Sequence, residues 1–266
     1  MIRKPAVAGQ FYPGNPTRLE KLVTRVLGPG PEEPAIGVVS PHAGYVYSGA
    51  VAGHTFGAVR VPDTVILLGP NHTGLGTEAG VWVRGGWATP LGTVPVAEDL
   101  AEALLAACPI LQEDTLAHVH EHSLEVQLPF LQVKNPAVRI VPISFMLRSY
   151  GDIAEVGRAV ARVVESWPDP VLLVASSDMS HYEPEDAARS KDRMAIDCVL
   201  ALDPRGLLDT TKRHGITMCG VVPTAVMLVA ARDLGAAGAR LVRYATSGDV
   251  SGDRRQVVGY AGIVVA

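Results

Sequence analysis

The chain has 266 residues, 48% of them apolar and 19% charged, with a formal net charge of −4. That apolar content excludes intrinsic disorder, and an acidic balance with 5% aromatics offers no phosphate-attracting surface or base-stacking platform, so nucleic acid is not an expected partner. Three cysteines (Cys108, Cys198, Cys219) form no CxxC pair and no disulfide framework, which points to a reducing cytoplasm. Residues 34–59 lack full charges, but their histidines, serines, glycines and prolines are too polar and too broken for a membrane span. Pro5, Gly9, Gln10 and Pro13 interrupt any secretory apolar segment near the start.

In chain order, Asn15-Pro16 reads as a helix cap followed by a first-turn proline, with Leu19, Leu22, Val23 and Val26 at helical spacing. Val- and Ile-rich runs predict strands at 36–40, 64–69, 80–83, 139–144, 171–177, 241–246 and 259–265. Helices are predicted at 97–107, 152–166, 204–214 and 221–234. The third of these opens on Asp203-Pro204 and stops at Gly215. Several strands are apolar throughout, as strands covered on both faces are. The expected fold is therefore a single α/β domain over residues 1–266, with a mainly parallel central sheet flanked by helices.

Three of these runs break into small-residue loops that carry a histidine. They are Ser40-Pro41-His42-Ala43-Gly44-Tyr45, Gly69-Pro70-Asn71-His72 and Ser176-Ser177-Asp178-Met179-Ser180-His181. Loops beyond the carboxyl ends of parallel strands converge on one crevice, so His42, His72 and His181 should lie near one another. A lone histidine after a strand is ordinarily a hydrogen-bonded loop residue. Three at equivalent strand ends make metal ligation equally credible, since imidazole is the commonest metal ligand. Asp178, three residues before His181, would fix that ring's tautomer and raise its basicity, as a general base requires; its alternative role is a helix cap. His118, His120 and His122 alternate before Glu125. The first two are expected to be solvated loop residues, whereas His122, beside Glu121, is an even choice between site and loop. Cys219, ahead of an uncharged helix, is expected to carry a depressed thiol pKa and to serve as a ligand rather than a nucleophile. Cys108 and Cys198 are expected to be inert.

Together with Glu121-His122-Ser123-Leu124-Glu125, Cys219-Gly220, the opening Ala6-Val7-Ala8-Gly9-Gln10-Phe11-Tyr12-Pro13 and the closing Ser247-Gly248-Asp249, these motifs resemble the Memo family in order and over essentially the whole chain. The resemblance implies a fold similar to the extradiol, class III non-haem-iron dioxygenases. It implies a metal site of His42, His72 and Cys219, lined by Asp178, His181 and His122. In those dioxygenases a glutamate stands where this chain has Cys219, which sets it apart from the two-histidine-one-carboxylate ring-cleaving enzymes. The expected cofactor is Fe(II), with copper or zinc as alternatives. The expected function is metal-dependent redox chemistry on a small molecule, with His181 as acid/base. The alternatives are a zinc-type hydrolase and a non-catalytic protein that captures a small-molecule or peptide ligand. The resemblance also suggests a functional link to AMMECR1-like and radical-SAM proteins.

Overall fold

A computed structural model describes residues 1–28 and 30–266. The chain runs β1 (Ile2–Arg3), α1 (Pro16–Leu27), β2 (Gly37–Ser40), α2 (Tyr45–Gly57), β3 (Thr64–Pro70), β4 (Ala79–Val81), β5 (Gly86–Thr89), β6 (Gly92–Pro95) and α3 (Glu98–Ala107). It continues through β7 (Gln112–Glu113), α4 (Leu116–Val119), a 3₁₀ turn (Glu125–Gln127), α5 (Leu128–Lys134), β8 (Arg139–Phe145), α6 (Tyr150–Glu165), β9 (Val171–Ser176) and β10 (His181–Glu183). It ends with α7 (Glu185–Leu200), α8 (Pro204–His214), α9 (Val221–Asp233), β11 (Ala239–Thr246), α10 (Gly248–Ser251) and β12 (Val257–Val265). Among the described residues no helix is long and apolar enough to cross a membrane.

The expected parallel sheet is the centre of a larger mixed one. Strands β2, β9, β3 and β8 lie side by side and parallel. Antiparallel β12 flanks β2 and pairs β11 and β10, while antiparallel β4 flanks β8 and carries β7. In the parallel centre both faces of every strand are buried. Val39, Ile66, Leu68, Ile143, Leu173 and Ala175 pack against α3, α6 and α9. The alternate residues Val38, Val65, Leu67, Ile140, Leu172 and Val174 pack against α1, α2 and α5. The period of two thus sends apolar side chains both ways, which is why these strands read as continuous apolar runs.

Caps set the helix ends where the sequence placed them. The Asn15 side chain accepts from Arg18 N (3.0 Å), and Asp203 accepts from Gly206 N (2.8 Å). Gly215 closes α8 in the left-handed conformation, φ 59°. The elements not foreseen include α2, α7, the short β7, α4, β10 and α10, and a small sheet of β1, β5 and β6. Helix α2 lacks charge and carries several glycines, so it shows no amphipathic stripe. The glycines serve packing instead, since a Cβ on Gly57 would stand 2.0 Å from the Leu27 carbonyl oxygen of α1.

Candidate metal centre

Because β2, β9 and β3 are parallel neighbours, their carboxyl ends share one edge, and the loops there carry His42, Asp178 and His72. Two further loops meet them. One, between α4 and the 3₁₀ turn, brings Glu121 and His122. The other, between α8 and α9, brings Thr217 and Cys219. Gly220 makes the second approach possible: a Cβ there would lie 2.3 Å from the Ser176 carbonyl oxygen, and its N–H donates to Ser177 Oγ at 3.0 Å.

His42, His72 and His122 each offer a ligand atom within 4.8 Å of the others, a cluster that could hold a metal ion. The His42 ring stands edge-on to both, at centroid separations of 5.3 and 5.5 Å, whereas His72 and His122 stack at 4.9 Å with 22° between planes. Phe11 covers His122 edge-on at 4.9 Å. Cys219 Sγ lies 3.2 Å from His42 Nε2 and accepts from Asp178 N at 3.3 Å.

The surroundings fix which nitrogen of each ring is free. Ser176 Oγ has one hydrogen, which it donates to the Ser123 carbonyl (2.6 Å), and it accepts from Gln127 Nε2 (2.8 Å). Its 2.9 Å contact with His42 Nδ1 is therefore a ring N–H donating, and the His42 lone pair sits on Nε2. The Gln127 amide is oriented in turn, because its Nε2 also faces the Pro41 carbonyl (3.1 Å). His72 Nδ1 donates to Glu121 Oε1 (2.9 Å), which leaves His72 Nε2 free as well.

Charge follows the same logic. Burial holds the His42 pKa well below its ordinary value, and the His122 and His72 rings push the same way, so the ring is neutral. Burial likewise lowers His122. Glu121 is buried, which favours its neutral form. The His72 ring and the N–H groups of Ser123 (2.9 Å) and His72 (2.5 Å) outweigh that and hold its pKa at about 2. Its carboxylate in turn raises His72 despite burial.

Several expectations change. Cys219 precedes the α9 cap residue, Gly220, but its thiol is raised far above the ordinary value, first by burial and then by the Asp178 carboxylate, so it is not a depressed thiolate here. Asp178 does not hold the His181 ring. Asp178 Oδ1 accepts from His42 N (2.7 Å), and His181 Nδ1 donates to the Thr217 carbonyl (2.9 Å), leaving His181 Nε2 free. The two still sense each other's charge. Burial, its largest influence, pushes the Asp178 pKa up to about 6. His118 is fully buried rather than solvated, its Nε2 donating to the Gly80 carbonyl (2.9 Å), whereas His120 is exposed. Ser176, Gln127 and Thr217 were missed. The only signal for Gln127 was a lone amide between apolar neighbours.

Comparison with known proteins bears on the family. Residues 3–264 match the family profile described as Memo-like protein. A MEMO1 family protein of Methanopyrus kandleri is 47% identical over 99% of both chains, and one of Methanosarcina acetivorans is 45% identical over 99% of both. One of Thermotoga petrophila is 42% identical over the full length of both. An uncharacterized Escherichia coli K12 protein of known structure shares the fold, with a TM-score of 0.55 at 15% identity, covering 86% of this chain and 99% of that one. With its motifs in order and relatives matching end to end, the chain belongs to the Memo family.

Proposed function

We propose that this chain is an Fe(II)-dependent protein that carries out redox chemistry between a small molecule and O₂. In this reading His42, His72 and Cys219 hold the ion and His181 moves the proton. The observation that supports it most is the 3.2 Å separation of His42 Nε2 and Cys219 Sγ. Metal–nitrogen and metal–sulfur bonds of about 2.1 and 2.3 Å place two neighbouring donors roughly that far apart. An imidazole's lone pair lies in the ring plane. His42, edge-on to both other rings, can share an ion with either, and the Nδ1–Glu121 hydrogen bond that leaves His72 Nε2 free favours His72. Bound there, the metal supplies Lewis acidity and open positions for O₂ or substrate.

The chain's own groups do the rest. Glu121 and Ser176 hold the two imidazoles in the ligating tautomer. His181 Nε2, free because Nδ1 is tied to Thr217, can take or give a proton, and Asp178 can exchange one near pH 6. A second reading, a zinc-type hydrolase, is favoured by the three-imidazole cluster itself, a donor set also used by hydrolytic zinc.

Metal analysis of anaerobically purified protein separates these readings. The expected result is stoichiometric iron, abolished by His72→Ala and weakened at least about tenfold by Cys219→Ser. His122→Gln should keep the metal, and His181→Ala should keep it while losing O₂ consumption in a screen of small reductants. Zinc with oxygen-independent turnover would favour the hydrolase. Full metal retention in Cys219→Ser with loss in His122→Gln would remove the thiol from the ligand set.

A further inference from the structure

Behind the loop that carries Thr217 and Cys219 lie two basic lobes that share Tyr150 as a wall, the larger of them at the same carboxyl edge of the sheet. The larger lobe, about 460 Å³, is lined by Arg148, just beyond β8, by Tyr150 at the start of α6, and by Arg205 and Lys212 of α8. Ile216 and Val221 form its inner wall. These two residues bracket residues 217–220, so the cavity and the metal centre share that loop. The smaller lobe, about 180 Å³, meets the first at Tyr150 and adds Arg158 and Arg232.

Arg148, Arg205 and Lys212 line the first lobe against Asp209, and Arg158 and Arg232 line the second against Asp233, on a chain whose net charge is −4. Arg205 is neutralised by Asp209 (3.1 Å) and stacks over the Tyr150 ring at 5.0 Å. Among the described residues Arg148, Arg158, Lys212 and Arg232 make no ion pair. Like charges gathered in a fold repel, so an arrangement of this kind is most stable with an anion between them. A hollow of this size suits a small ligand rather than a flat macromolecular contact. The guanidinium fork of Arg148 and the lysine point charge of Lys212 match phosphate oxygens.

We infer that this cavity binds a small molecule carrying a diphosphate or a pair of phosphates. The site is separate from the metal ligands and does not depend on the function proposed above.

Calorimetry with inorganic pyrophosphate tests it, on metal-free protein so that chelation at the histidines plays no part. Citrate at matched ionic strength is the carboxylate comparison. Saturable binding is expected, weakened at least about tenfold in the double variant Arg148→Gln/Lys212→Gln, changed much less in Arg158→Gln/Arg232→Gln, and weakening with added salt. His72→Ala, which should lose metal, should bind pyrophosphate as the parent does. Circular dichroism shows whether each variant is folded, and all four positions are exposed. Absence of saturable binding, binding unchanged in Arg148→Gln/Lys212→Gln, or loss of binding in His72→Ala alone would each overturn the inference. Citrate binding as tightly as pyrophosphate would overturn the assignment to phosphate.

Discussion

A histidine ring enclosed by Trp82 and Trp87 cannot easily become a cation. His118 sits there with ring centroids 6.2 and 5.6 Å from the two indoles, and burial, its dominant influence, lowers its pKa to about 4. The unfolded chain takes up that proton near the ordinary value of 6.5. Between pH 6.5 and about 4 the unfolded state therefore binds more protons, so the contribution is complete above 6.5 and is lost as the pH falls. It amounts to about 3 kcal/mol at most. Urea unfolding of the parent and of His118→Gln at about pH 7 and about pH 4.5 should show the variant losing less stability on acidification, because a glutamine keeps a donor near Gly80 and cannot charge. The alternation of His118, His120 and His122 hid this role. The single turn of α4 sends His118 inward and leaves His120 outside, and an alternating sequence does not say which way a four-residue helix faces. The six residues proposed for the site were legible because each stands in a short motif at a strand or helix end. The groups that fix their tautomers come from elsewhere in the chain and carry no local mark.

At the level of elements, the first dozen residues are fastened to the site by one carboxylate. Glu125, in the 3₁₀ turn just after His122, accepts from Arg3 Nη1 (2.7 Å), Ala6 N (2.7 Å), Val7 N (3.0 Å) and Tyr12 Oη (2.6 Å). The Arg3 and Glu125 side chains are both at most 1% exposed, and Arg3 lies 4.2 Å over the Trp87 ring. Removing one partner strands the other charge in the interior. Glu125→Gln should therefore cost about 3–5 kcal/mol in urea unfolding. Glu125→Leu combined with Arg3→Met should not restore stability, because Ala6 N, Val7 N and the Tyr12 hydroxyl lose their acceptor as well. A Phe11 freed from its backbone anchorage should also expose His122. The sequence showed elements whose caps and apolar stripes are local, such as α1, α6 and α8. It did not show β1, two residues long and paired only with distant β5, nor α7, in which Asp192 is buried by accepting from Ser180 N (2.8 Å) and Tyr244 Oη (2.7 Å). Both depend on partners remote in the chain.

For the whole molecule, the proposed ligands come from loops far apart in sequence, so the unfolded chain has no means of gathering them. Metal should then bind the native state alone and stabilise it by about 4 kcal/mol at a thousandfold excess over Kd. In anaerobic thermal scans Fe(II) should raise the midpoint of the parent and leave that of His72→Ala unchanged. The gain should shrink as pH falls, because the Cys219 proton has to leave when the thiol ligates. The parallel centre was legible because its apolar runs are unbroken. The antiparallel flanks were not, because strand direction is decided by which connection closes on which edge. One of those flanks has a consequence for biosynthesis. Strand β12, made after β2, β3 and β9, pairs along β2 and anchors the 178–181 turn, where Met179 N donates to the Gly259 carbonyl (2.9 Å). A growing chain therefore carries His42 and His72 long before Cys219 and β12 exist to complete their surroundings. On the proposed ligand set such a partial chain can hold a stray ion only loosely, and secure loading has to wait for β12.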